Sequence, residues 1–472
     1  MITQVEIDGF KTFRNFKVTL TPLQVIVGSN GAGKSNFFDA LLLLSRLADD
    51  DLRTAFQEMR GEAGELFTMK SGGKPVDRMW LVVEMLVEPQ ITDSWGAEAR
   101  LKYTRLRYEL EIVRKADQRG LDRLYVQHES LRPIARGEDR WIKQHNIKER
   151  QDLLPKLTGG RSAPFISTQE EQGIATVYLH QDGRSGRKGS VASQMERTVL
   201  SGVANTEFPH ALAAREEMRL WRLLQLNPEI LRKPSSMVAP QVMGPDGRNL
   251  PGVLARLQAE DPLILADISR DLANLVPGIT HVEVESDAAR DEYVIWARTS
   301  DGRRFSSRVL SDGTLRMLAL VTLKNDPHHH GVVLFEEPEN GVHPQRLRKI
   351  GDLISQLASS FQEPEEAGGP LRQFLCNTHS PLFISQPSIL PHVLFAYTAV
   401  VTDPQHLHQP MHSTRMAPVQ GSALEPSLPF EITQEEVSYT LAEVRAFLDN
   451  ADLGESRTLL EAVSTGKNGQ AQ

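Results

Sequence analysis

The chain has 472 residues, 40% of them hydrophobic, a net charge of −8 and one cysteine; this length implies two or three folding units with ample core, and the acidic balance excludes a protein coated over its whole surface by nucleic acid, although a local basic face is compatible with it. Cys376 alone forms no internal disulfide, and no Cys/His spacing suggests structural zinc, which fits a reducing, cytoplasmic compartment. No segment reaches the length of a bilayer span and the N-terminus lacks a basic region followed by an apolar stretch, so neither membrane insertion nor secretion is expected.

In chain order, short β-like runs at residues 5–7, 16–20 and 23–27 come first. The third leads directly into Gly28-Ser29-Asn30-Gly31-Ala32-Gly33-Lys34-Ser35, and residues 36–44 read as a helix. Strand, glycine loop and helix in this order make a phosphate-binding loop. Its glycines let the backbone fold tightly, so that N–H groups from Gly28, Asn30, Gly31, Ala32 and Gly33 point at phosphate oxygens. Lys34 adds charge at the β/γ end, Ser35 holds Mg²⁺ through its hydroxyl, and Asn36 opens a helix whose positive end faces the phosphates. A nucleoside triphosphate is the expected ligand.

Beyond a polar, glycine-bearing stretch at 50–78, residues 80–87 and 103–113 look like strands of a meander. Between 100 and 150, 14 basic residues stand against 8 acidic ones; solvated strands and a nucleic-acid face both account for that excess. Residues 182–189 read as a flexible basic loop, either solvated or in contact with nucleic acid. Helical apolar spacing at 195–231 includes Leu212, Met218, Leu220, Leu223 and Leu224. A Pro- and Gly-rich linker at 235–252, helical spacing at 253–275 and strands at 281–285 and 293–297 follow. No heptad run between 100 and 290 is long enough for an extended coiled coil.

Leu310-Ser311-Asp312-Gly313-Thr314 then enters a helical run at 317–323, so Ser311, Asp312 and Gly313 at its N-terminus form a second candidate anion cradle. His328-His329-His330 follows Asp326-Pro327 in a loop without ligand spacing, and no metal is expected there. An apolar strand at 332–335 ends in Glu336-Glu337-Pro338-Glu339-Asn340. Two carboxylates delivered beside a P-loop suit a nucleotide hydrolase: Glu336 is assigned to the Mg²⁺ shell, and Glu337 orients or deprotonates the attacking water. A further apolar strand ends in Cys376-Asn377-Thr378-His379-Ser380, which puts His379 in position for a γ-phosphate contact. Residues 404–429 read as loop and 434–460 as helix, with a polar tail.

P-loop, LSDGT, acidic strand and histidine in this order resemble the ABC-type ATPase heads of the RecF, SMC and OLD-like group, most closely the bacterial RecF-type ATPases of the AAA_21 class. The resemblance rests on VEIDGFKTF at 5–13, GSNGAGKSNFFDAL, RVLSDGTLRMLAL, VVLFEEPENGVHP and CNTHSPLFI. It implies an α/β fold, a P-loop NTPase head of ABC type with an inserted mixed β/helical lobe. Residues 1–75 and 301–402 would form the head, 76–300 the insert and 403–472 a C-terminal loop and helical tail. The resemblance also implies Mg²⁺-dependent ATP hydrolysis, with Ser311 to Thr314 reaching the γ-phosphate of ATP held by a second copy, so that ATP joins a homodimer. Asn340 to His343 would occupy the D-loop. Three features depart from the pattern: Glu336 stands where most such heads carry Asp, LSDGT replaces the commoner LSGGQ, and no Q-loop glutamine can be placed. No Asp-x-Asp follows Ser380, so a built-in nuclease is not expected. The implied output is DNA binding in repair or genome maintenance; the alternative is control of a separately encoded effector protein, such as a phage-defence nuclease.

Overall fold

The computed structural model describes residues 1–70, 73–116, 122–135, 137–145, 153, 164–171, 174–181, 187–191, 195–340, 344–361, 369–403, 406–420 and 439–451. At its centre lies a six-stranded sheet in the order Arg222–Leu224, Gly331–Glu336, Arg372–Thr378, Leu23–Val27, Val393–Asp403 and His406–Pro418. The first five strands run parallel, and the last is antiparallel to its neighbour. Parallel strands need cover on both faces, which explains their continuous apolar runs. Alternate residues serve two cores: Ile26, Val332, Leu334 and Leu375 face one, and Val25, Val27, Val333, Phe335 and Phe374 face the other.

The first core is shared with the helix Lys34–Leu47 and with an eight-stranded antiparallel sheet. That sheet runs Arg187–Val191, Ile174–His180, Ile166–Glu171, Asp122–Pro133, Arg105–Ala116, Arg78–Leu86, Ile2–Asp8 and Phe16–Thr19. The helix contributes Phe37, Phe38, Leu41 and Leu44; burying one such side chain stabilises by about 1.5–3 kcal/mol relative to exposure. The second core packs the helices Leu250–Glu260, Pro262–Leu275 and Asp312–Asn325 against the central sheet and a four-stranded sheet. Strands cross the expected segment boundaries: Ile2–Asp8 pairs with Arg78–Leu86 of the meander, while Arg222–Leu224, from within 76–300, joins the central sheet.

Several expectations are corrected. Helical spacing at 195–231 gives only one multi-turn helix, Pro209–Arg219; Leu223 and Leu224 lie instead in a strand pairing in parallel with Leu334 and Phe335. Two leucines in a short run fit either period, and the free edge of the central sheet decides. Within the loop expected at 404–429, residues 406–418 form a strand paired antiparallel with Val393–Asp403. Met411, Ser413, Ala417 and Val419 are buried with a period near two, a pattern too polar to register as a strand on its own. In the basic run, Arg187, Lys188 and Gly189 belong to an edge strand, and 182–186 lie outside the described residues. Of the expected C-terminal helix, Leu441–Ala451 is described. No described helix is long and apolar enough to cross a membrane.

The meander also carries an internal proton site. Glu129, fully buried, accepts hydrogen bonds from the Val199 and Leu200 amides at 2.6 and 2.9 Å and from the Tyr108 hydroxyl at 3.1 Å. Burial outweighs these donors and pushes its carboxyl up from 4.5 to about 7. Between those values the folded chain keeps a proton that the unfolded chain has released, so this group's stabilisation is present below the window and is lost as pH rises through it. Glu129→Gln is expected to flatten the decline of Tm between about pH 5 and 7; a profile parallel to the parent's would show that Glu129 does not titrate there.

Candidate nucleotide site

The glycine loop lies at the carboxyl ends of the parallel strands, where the crevice of such a sheet opens. Two of its glycines are dictated by contact. A Cβ on Gly33, whose φ is +92°, would lie 2.1 Å from Thr414 Oγ1, and one on Gly28 would lie 2.3 Å from the Ala396 carbonyl oxygen. The terminal hairpin therefore packs directly on the loop. Thr414 and Thr12 share a hydrogen bond of 2.7 Å, and Asn36 Nδ2 donates to Thr12 Oγ1 at 3.1 Å, which ties the loop, the hairpin and the segment after the first strand together.

Lys34 Nζ donates to the Gly28 and Ser29 carbonyls at 2.6 and 2.8 Å. Burial lowers its ammonium below the usual range, opposed by Glu337, Glu336 and Glu339. Ser35 Oγ donates to Glu336 Oε1 at 2.6 Å, and Asn377, in register with Glu336 on the next strand, donates to the same oxygen at 3.3 Å. Consecutive strand residues point to opposite faces, yet Glu336 and Glu337 line one cavity. The chain turns at Glu337, whose φ is +50°, a conformation that costs a non-glycine residue on the order of 1–3 kcal/mol. Hydrogen bonds from its amide to Asn377 O at 3.0 Å and Oδ1 at 3.3 Å hold it there. The Glu337 carboxylate accepts from Asn340 Nδ2 through Oε2, and its Oε1 lies 3.1 Å from His379 Nδ1.

The cavity has a volume of about 650 Å³, which suits a nucleotide. Asn30, Gly31, Gly33, Lys34, Ser35 and Asn36 line one side and Glu336 and Glu337 the other. Ala32 is buried behind the loop. Ser35 and Glu336 supply the hard oxygen donors that Mg²⁺ takes alongside phosphate oxygens and waters, so both fit a metal that arrives with a nucleotide. Among the described residues no group of three His, Cys, Asp or Glu could hold a metal independently. Buried His329 instead accepts a hydrogen bond from Arg222 at 2.8 Å.

Ser311 and Asp312 are exposed and do not line this cavity, nor does Gly313. Ser311 caps its helix, with its Oγ accepting from the Thr314 amide at 3.3 Å. Residues 341–343 of the expected D-loop lie outside the described residues. Three further residues stand at or near the site, two of them lining the cavity, and motif spacing alone does not single them out. Gln225 lines the cavity at the end of the short strand Arg222–Leu224, beside the acidic strand; the helical spacing read over 195–231 hides that position in the sequence. Arg316 also lines it, one turn along the Ser311 helix, and donates to Asn340 O at 3.1 Å. Glu339, the third acid after the strand, accepts from Thr378 Oγ1, and burial raises its carboxyl. Its signal was the Glu-Glu-Pro-Glu run itself.

A phosphate loop in the middle of a parallel sheet, with acids on the strand beyond its neighbour, defines a P-loop ATPase fold of ABC type. The family described as "AAA domain, putative AbiEii toxin, Type IV TA system" (AAA_21) matches residues 23–385, and the chain belongs to it. Structural maintenance of chromosomes protein 3 of Saccharomyces cerevisiae is 26% identical over an alignment of 222 residues that covers 42% of this chain and 17% of that protein. The match thus spans under a fifth of that relative. Among solved structures, the SMC head bound to the C-winged helix domain of ScpA is 13% identical with TM-score 0.45, covering 88% of this chain and 97% of that one. The SMC head domain from Thermotoga maritima is 12% identical with TM-score 0.36, covering 89% and 99%. The SMC head with a coiled coil and joint from Pyrococcus yayanosii is 11% identical with TM-score 0.45, covering 96% and 99%.

Proposed function

We propose that the chain binds ATP with Mg²⁺ and hydrolyses it, and that ATP joins two copies into a dimer. The observation behind this reading is the convergence of Lys34, Ser35, Glu336 and Glu337 on one cavity, with Ser35 and Glu336 in direct hydrogen bond across 301 residues. In this reading the amides of the glycine loop and Lys34 hold the phosphates, while Ser35 and Glu336 hold Mg²⁺, which when bound neutralises charge on the phosphate oxygens. Glu337 accepts a proton from the attacking water. His379, beside Glu337, would contact the γ-phosphate, and Gln225, which lines the cavity, would contribute its carboxamide to the bound metal or water. Ser311 and Asp312, both exposed, and Gly313 beside them complete the site of the second copy. Ser311→Arg is then expected to spare nucleotide binding, abolish ATP-dependent dimerisation and lower turnover at least about tenfold. Unchanged turnover would exclude a site shared between copies.

Two outputs follow from dimer closure. In the first, the dimer closes over DNA in repair or genome maintenance, as suggested by likeness to a chromosome-maintenance protein. In the second, ATP gates a separately encoded effector. The meander favours the second: Arg105 pairs with Asp139 at 2.7 Å, Arg107 with Glu6, Glu84 and Glu109 at 2.6–3.1 Å, and Arg114 with Asp122 at 3.1 Å, so those cations are already engaged. Turnover measured with and without duplex, single-stranded and end-containing DNA separates the two readings. Stimulation supports DNA as the load, whereas DNA-independent turnover with a stably co-purifying protein supports an effector.

A further inference from the structure

Asp312 puts a carboxylate in the middle of a turn read as an anion cradle. Alone it opposes the positive end of the helix it opens and repels a phosphate approaching Ser311. Arg232 lies against it. Arg232 Nη2 donates to Asp312 Oδ1 and to the Leu310 carbonyl at 3.0 Å, so one guanidinium holds both the acid and the backbone of the turn. Ser307 Oγ in turn donates to the Arg232 carbonyl at 2.9 Å. Arg232 also caps the single-turn helix Pro228–Leu231, whose first residue lines the nucleotide cavity. The Asp312 side chain is 64% exposed and that of Arg232 29%. A pair so accessible to water adds little as a staple; its main effect is on the charge of the turn.

We infer that Arg232 is a positioning residue: it neutralises Asp312 and sets the Leu310–Asp312 backbone, so that an aspartate-bearing turn can receive the γ-phosphate of ATP held by a second copy. The inference rests on the two-copy site proposed above. It also accounts for the replacement of the usual glycine by Asp312, because acid and base enter the turn as a pair from segments 80 residues apart.

The test uses the full chain in a Glu337→Gln background, reading ATP-dependent dimerisation by sedimentation and nucleotide affinity of the single copy with a fluorescent ATP analogue. Arg232→Gln is expected to raise the ATP concentration for half-maximal dimerisation about tenfold or more, within the usual range of coupling between sites, without changing single-copy affinity. The double change Arg232→Gln with Asp312→Gly is expected to restore most of the lost dimerisation, because the uncompensated charge is gone and only the hydrogen bond to the Leu310 carbonyl is missing. If Arg232→Gln has no effect, or the double variant remains as weak as the single one, charge compensation is wrong. Ser311→Arg run in parallel separates the two levels. If it blocks dimerisation while the Arg232 variants fail the expectation, the two-copy site survives and the pairing idea falls. If it leaves dimerisation intact, the two-copy site falls and the role of Arg232 with it.

Discussion

Glu337→Gln is expected to lower kcat by about 10²–10⁴-fold, the usual contribution of a positioned general base, while ATP binding persists and the ATP-bound dimer accumulates. The geometry supports a role in chemistry over one in binding. The carboxylate is held from two sides, by Asn340 on Oε2 and by His379 at 3.1 Å on Oε1, on a strained backbone anchored to Asn377. Gln preserves shape and can still meet both neighbours, but it cannot take a proton. Single-turnover hydrolysis with size analysis is the measurement, and hydrolysis at the parental rate would remove Glu337 from its assigned role. A general fall in nucleotide affinity would also count against that role, because it would mean that the acid supports the loop and not the water.

The second large effect is at Lys34. With the ammonium half-buried beside the loop and bonded to the Gly28 and Ser29 carbonyls, an arriving triphosphate gains a charge-assisted donor from Lys34. A hydrogen bond to a charged group contributes about 1.5–3 kcal/mol, so Lys34→Ala is expected to weaken ATP binding on the order of ten- to hundredfold and to suppress turnover. Thermal denaturation provides a readout independent of chemistry. A ligand at a hundred times its Kd stabilises the native state by about 2.7 kcal/mol, and a ten- to hundredfold weaker Kd leaves about 1.4 to 0.4 kcal/mol of this; at the ATP concentration that achieves the full effect for the parent, Lys34→Ala should lose at least about half of the rise in Tm. An equal rise in parent and variant would place nucleotide binding away from the glycine loop.

Contiguous motifs proved the most readable feature of the chain. Gly28 to Ser35 is a glycine loop between strand and helix in the fold, because its chemistry depends on neighbours within a dozen residues and apolar runs flank it on both sides. The acidic strand and the histidine strand were legible for the same reason: fully buried parallel strands read as unbroken apolar runs. Short and amphipathic elements were harder to read. Leu223 and Leu224 fit a helical spacing and residues 406–418 a loop, since a run of three residues, or one mixing His, Gln, Ser and Thr, shows no period strong enough to choose.

The amino-acid sequence by itself determined the family and the strand–glycine loop–helix pattern, and it singled out Ser35, Glu336, Glu337 and His379 as candidates, because each sits in a local pattern whose side-chain chemistry can be named without knowing what lies opposite. Only the tertiary structure decided that Gln225 reaches the cavity, that Thr414 closes on Gly33, that Asn340 and His379 clasp Glu337, and that Arg232 meets Asp312. Most of these contacts join segments far apart in the chain. Their partners are selected by strand pairing and core packing, which depend on the whole fold and leave no fixed spacing in the sequence.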